Sequence, residues 1–148
     1  MTKVSRNAAA SALLDFLLAA PGLKDVIKTS GNHLIHWKDL QHQGHCPALF
    51  VPDTDSHPKG DWGSANAWHL DYEVWVYTYA GKADGSAQRA RNDLIDAIDQ
   101  AIRPDPIAKR CTLGGKVGDC RISGTVKTDG ALLGAQSFAL IPVTIRNI

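Results

Sequence analysis

The sequence predicts an α+β domain: a mostly antiparallel β-sheet with two main helices packed on one face, in a single small domain over residues 1–148. Three observations predict it. Residues Trp68 to Tyr79 alternate between two faces, as a strand does. Residues Ser86 to Ile102 carry apolar side chains at helical spacing. Near the C-terminus Ala139, Ile141, Val143 and Ile145 alternate again and form one aliphatic face. A sheet with a helix packed on it absorbs almost every apolar residue after Trp68, which leaves little for an active site.

Taken in order, the first helix runs from about Ser5 or Ala8 to Ala20. Leu13, Leu14, Phe16, Leu17 and Leu18 cover more than half its circumference, a broader apolar face than one sheet contact requires. Pro21-Gly22 ends it, and Leu23 to Lys28 fits one further helical turn. Ser30-Gly31-Asn32 is a turn signal. His33 to Trp37 reads as a short strand, Lys38 to Gly44 as a polar loop, and Cys46 to Val51 as a second strand with Pro47 near its start. Pro52 to Ala67 is a long loop of prolines, glycines and aspartates with Trp62 inside it; loops of this length tend to be functional or disordered.

In Trp68 to Tyr79 one face carries Trp68, Leu70, Tyr72, Val74 and Val76. The other starts polar with His69, Asp71 and Glu73 and turns aromatic at Trp75, Tyr77 and Tyr79. The second half is therefore expected to be covered on both sides, by a helix on one and by another subunit on the other. Ser86 is the expected N-cap of the second helix. Leu94, Ile95, Ile98, Ala101 and Ile102 form its apolar stripe, and Pro104 and Pro106 stop it. Leu113-Gly114-Gly115 is a turn, Lys116 to Lys127 a half-buried strand, and Thr128 to Gln136 a loop containing Leu132-Leu133. Pro142 cannot donate to a ladder, so the last strand is expected at an edge or with a bulge.

A chain of 148 residues suits one domain with a real core. The apolar fraction is 44% and the charged fraction 21%, ordinary globular values. A net charge of +1 argues against a protein whose main task is gripping nucleic acid. The run Ala8 to Ala20 contains Asp15 and is too short to span a bilayer, so neither a signal peptide nor membrane association is expected. Three cysteines without a secretory segment are expected to be reduced thiols, with Cys120 a small core residue.

The order of these elements resembles the tail terminator (tail completion) proteins of long-tailed bacteriophages. The residues that carry the resemblance are the Leu-rich first helix with Pro21-Gly22, then CPALFVP at Cys46 to Pro52 and YEVWVY at Tyr72 to Tyr77. They continue with NDLIDAIDQAI at Asn92 to Ile102, LGGKVGDCRISG at Leu113 to Gly124 and FALIPVTI at Phe138 to Ile145. The resemblance covers most of the chain as a pattern of elements. It implies a homohexameric ring on the head-proximal end of the tail tube. The ring would stop tube polymerisation and offer a surface to the head-side connector. The implied partners are further copies of the chain, the tail tube protein, the connector or neck protein, and DNA passing through the lumen without sequence-specific binding. The implied place is the virion tail, after synthesis in the bacterial host cytoplasm. The family has no catalytic residues to carry over, and no cofactor or metal is expected.

Candidate sites weigh differently. His42-Gln43-Gly44-His45-Cys46 has metal-ligand residue types but no second cluster with paired spacing; His33, His36, His57 and Cys111 could join only through the fold. Asp93, Asp96 and Asp99 recur on one helix face and read as a solvated surface. Asp53, Asp55 and Asp61 read as a flexible polar loop. Leu113-Gly114-Gly115-Lys116 lacks phosphate-loop spacing, and no nucleophile-elbow motif is present. Trp62, Trp75, Tyr77, Tyr79, Leu132 and Leu133 are the candidate subunit or partner contacts, because aromatic residues are enriched in interface cores. The expected function is that of a structural protein without enzymatic activity. The alternatives are a head-completion or head–tail joining neck protein, a small metal-dependent enzyme using His42, His45 and Cys46, and a small-ligand binding domain.

Overall fold

Helix α1 (Arg6–Leu18) begins where the Ser5 hydroxyl accepts the Ala8 N–H at 3.2 Å, the ordinary N-cap bond. Helix α2 (Ser86–Ile102) begins one residue earlier than an N-cap at Ser86 implies. Gly85 takes the cap position with φ 86°, a left-handed conformation that glycine adopts without strain, and the Asp84 carboxylate accepts the Ser86 N–H at 3.0 Å. The helix stops at Arg103, which turns extended because Pro104 follows it. The computed structural model describes residues 4–42, 44–52, 56–58, 68–129 and 134–146.

Seven strands form one sheet among these residues. They are β1 (Thr29–Gly31), β2 (Ala48–Phe50), β3 (Ser56–Pro58), β4 (Trp68–Tyr79), β5 (Asp119–Ile122), β6 (Lys127–Thr128) and β7 (Gln136–Arg146). The order is β1-β2-β4-β7-β5, with β3 beside the start of β4 and β6 beside β7. Only β1 and β2 pair in parallel. The spine is the β4–β7 pair, in antiparallel register from His69↔Arg146 to Tyr79↔Gln136.

Alternation decides what each face of this spine holds. Leu70, Tyr72, Val74 and Val76 of β4 and Ala139, Ile141, Val143 and Ile145 of β7 share a core with Leu13 and Leu17 of α1 and Leu94, Ile98 and Ile102 of α2. Both helices therefore lie on one face, as the sequence predicts. The apolar girth of α1 is used within the chain: Ala9, Ala10, Leu13, Leu14 and Leu17 are all buried. The opposite face holds a second cluster of Leu40, Cys46, Ala48, Phe50 and Tyr77. Within the chain this cluster is covered by the segment around a 3-10 helix at Trp37–Leu40.

Four expectations need correction. His33 to Trp37 is not a strand; the short strand is Thr29–Gly31, which reads as a turn. Residues 28–32 are tied to the β2 region instead, with the Lys28 N–H on the Pro47 carbonyl at 2.8 Å, the Thr29 hydroxyl on that of His45 at 2.8 Å and the Asn32 amide on that of Val51 at 3.0 Å. The long loop after Pro52 contains β3, paired with Trp68 to Leu70. The expected strand from Lys116 to Lys127 is two short ones, β5 and β6. Finally, of the two settings expected for Pro142, an edge strand or a bulge, the edge does not hold, because β7 lies inside the sheet.

The last two corrections have one cause. The Pro142 carbonyl accepts the Ser123 N–H at 2.9 Å, so the backbone polar positions of Pro142 point toward the β5 side. The N–H that proline lacks would have pointed there too. The ladder breaks at that point: β5 ends opposite Val143 and β6 starts opposite Leu140. A Cβ on Gly124 would approach the Pro142 ring to 3.2 Å, so the bypassing chain runs close over the proline.

Candidate interaction surfaces

Trp75, Tyr77 and Tyr79 project from the same face of β4. The structure groups them with Phe50 of β2 and Phe138 of β7. Ring centroids lie 6.0 Å apart for Phe50 and Tyr77, 6.3 Å for Trp75 and Phe138, and 6.2 Å for Trp75 and Tyr77. Tyr77 is 4% exposed and belongs to the core, where burial pushes its phenol above the usual range. Trp75 and Tyr79 are half-buried at the rim of that cluster. Trp62, Leu132 and Leu133 lie outside the described residues.

The end of the sheet where β4 finishes and β7 starts is closed by buried polar groups that the sequence reading did not single out. Arg91 reaches from α2 to the Asp129 carboxylate at 3.0 Å and to the Ser137 hydroxyl oxygen at 2.9 Å. The Ser137 hydroxyl donates to the same Asp129 oxygen. The Thr78 hydroxyl donates to the Ala87 carbonyl at 2.7 Å and fastens the first turn of α2 to β4. On the other face the Gln136 amide donates to the Trp37 carbonyl at 2.8 Å and holds the 3-10 segment. A signal for Arg91 does exist in the sequence. It falls on the stripe Ala87, Leu94, Ile98 and Ile102, and a charge on a buried stripe requires a buried partner.

Helix α2 also holds two residues beyond β6. Arg91 holds Asp129, and the Gln88 amide donates to the Gly134 carbonyl at 3.1 Å. One helix thus anchors both Asp129 and Gly134.

His42 and His45 come together, with ring centroids 5.0 Å apart. The Nδ1 of His42 accepts the Gly44 N–H at 2.8 Å, and the Cys46 thiol donates to the Leu40 carbonyl at 3.1 Å. Burial pushes that thiol up to about 11, so it stays protonated at neutral pH. Cys111 is buried elsewhere, in the helical-face core. Among the described residues no three His, Cys, Asp or Glu side chains gather as a metal site. Asp93, Asp96 and Asp99 are exposed along α2. Thr112 accepts the N–H groups of Gly115, Lys116 and Val117, making the expected tight turn at Leu113-Gly114-Gly115.

Two further surface features stand out. On the face away from the helices, Glu73, Gly124, Thr125, Lys127, Leu140 and Pro142 line an open depression of about 340 Å³. At the edge formed by β5 and the end of β7, a groove of about 440 Å³ is lined by Lys109, Arg110, Arg121 and Arg146, with Asp119 the one acidic side chain. No family model matches the chain, and no curated protein matches it.

Proposed function

We propose that this protein is a structural component of a phage virion, a tail terminator whose copies close into a hexameric ring on the head-proximal end of the tail tube. There it stops tube polymerisation and offers the connector a docking surface, while DNA passes through the lumen. The observation that carries this reading is where the resembling motifs lie. Cys46 to Pro52 contains β2, Tyr72 to Tyr77 lies in β4, Asn92 to Ile102 in α2, and Phe138 to Ile145 in β7. They make up the spine of one fold, so the resemblance rests on a cooperating set of elements. The α+β architecture suits the role, because the outer strands β1 and β5 leave backbone groups for neighbouring copies. Among the described residues no helix is long and apolar enough to cross a membrane.

Electron microscopy of particles assembled without this protein tests the reading. Overlong tubes without heads are the expected result. Tails of normal length beside DNA-filled heads would move the protein to the head side of the joint. Intact infectious particles would overturn both virion roles.

A further inference from the structure

The described surface carries two charged regions that do not neutralise each other within the chain. The basic region is the groove at the β5 edge. Arg121 is spoken for, by Asp119 at 2.7 Å and the Lys109 carbonyl at 2.7 Å. Lys109, Arg110 and Arg146 join no ion pair among the described residues. The acidic region is the outer face of α2. Asp99 pairs with Arg103 at 3.4 Å, whereas Asp93 and Asp96 join no ion pair among the described residues. Asp93, Asp96, Lys109 and Arg110 are all exposed.

Beside the basic groove stands a stiff turn. The Asp105 carboxylate accepts the N–H groups of Ile107 and Ala108, each at 2.8 Å, which holds its pKa below the usual range. The Asp105 carbonyl accepts the Lys109 N–H at 2.8 Å, and the Asp105 N–H reaches the Arg110 carbonyl at 3.1 Å. Arg121 ties the turn to β5 through the Lys109 carbonyl. Ile107 is held at the tip, 92% exposed. A tip held on a fixed backbone loses little freedom on docking, as a preorganised contact should.

We infer that this groove receives the Asp93–Asp96 face of helix α2 from a second copy of the same chain, so that copies join head to tail. The inference rests on the ring reading and names the contact that closes it. Two different surfaces meeting make a heterologous interface, which closes into a ring when the rotation permits. Complementary charge sets the orientation and speeds the encounter, and Ile107 adds apolar burial. Like copies cannot stack with basic edge against basic edge, which gives the ring a single direction.

A charge swap tests it. One variant carries Asp93→Lys and Asp96→Lys; the other carries Lys109→Glu and Arg110→Glu. Each alone now faces like charge at every contact and should self-associate on the order of 100-fold more weakly than wild type by sedimentation velocity. Mixed in equal amounts, the two should regain rings, because both contacts in an alternating ring are again complementary. Only folded chains can be rescued this way, and circular dichroism checks each. If either reversal unfolds the chain, the milder Asp→Asn and Lys/Arg→Gln versions replace it, with weaker association expected for each alone.

Rings that persist in either variant, or a folded mixture that stays dispersed, would overturn the contact and leave the ring reading standing. A wild-type chain that remains monomeric at low salt, where attraction between copies is least screened, would overturn both. Duplex DNA of random sequence bound by wild type and released by Lys109→Glu/Arg110→Glu, with ring formation unaffected, would assign the groove to nucleic acid instead.

Discussion

On the helical face of the sheet, Val74, Val76, Ala139, Ile141, Val143 and Ile145 are fully covered. On the opposite face their chain neighbours Glu73, Trp75, Leu140, Pro142 and Thr144 are only half-buried. The same two strands thus build a dry aliphatic core on one side and a partly covered aromatic and polar surface on the other. Closure at their shared end differs as well. The helical face ends in the charged Arg91–Asp129 pair with Ser137, the aromatic face in the neutral amide of Gln136. The difference separates residues that hold the fold from residues that remain partly open on its surface. Tyr77 falls on the first side of that line, and Trp75 and Tyr79 on the boundary.

The strongest way to break this comparison is at the closing groups. Asp129→Ala leaves the Arg91 charge buried without its carboxylate and should cost about 3–5 kcal/mol in urea denaturation. Gln136→Leu removes a neutral bond and should cost about 1 kcal/mol. Equal losses would erase the distinction. Next come two adjacent residues of β7. Ile141→Ala should cost about 2–5 kcal/mol through the cavity it opens. Leu140→Ala, on the half-covered face, should stay below about 1 kcal/mol. A Leu140 loss matching that of Ile141 would mean that the open face is core.

The thiols sharpen the contrast by pH. Burial lifts Cys46, on the aromatic face, from 9.0 to about 11. Burial lifts Cys120, in the helical core, further still, with Cys111 and Asp119 adding to it. The folded chain therefore binds the Cys46 proton more tightly than the unfolded chain does. Its contribution to stability is complete below pH 9.0 and is lost as pH rises through about 11. Cys46→Ala should flatten that part of the stability profile, and an unchanged slope would refute the assignment. The smallest effect is expected at Asp99→Asn. Its pair with Arg103 is more than half exposed and should contribute no more than about 0.5 kcal/mol by thermal denaturation.

The sequence made β4, α2 and the aliphatic face of β7 legible because each has a long, uninterrupted period. The bounds of β4 and α2 agree with the reading from Trp68 to Tyr79 and from Ser86 to Ile102. Three-residue strands have no period to read, so β1 and β3 were hidden in segments with turn chemistry. Pro142 announced a break but not its side: the missing donor interrupts the neighbouring ladder while β7 stays internal. The residues of metal-ligand type in the 42–46 stretch fared differently. His42 and His45 do meet, but Cys46 turns its thiol to the Leu40 carbonyl. The basic groove was not legible, since Lys109, Arg121 and Arg146 come from separate parts of the chain and meet only through the fold.

The anchorage of both Asp129 and Gly134 on α2 has a mechanical meaning. Arg91 grips the first and Gln88 the second, three residues apart on one rigid rod. A pull on either residue is carried into the helix as well as into the sheet. The same rod bears Asp93 and Asp96 just beyond Arg91, so a displacement of Asp129 or Gly134 would reach them through a single stiff strut.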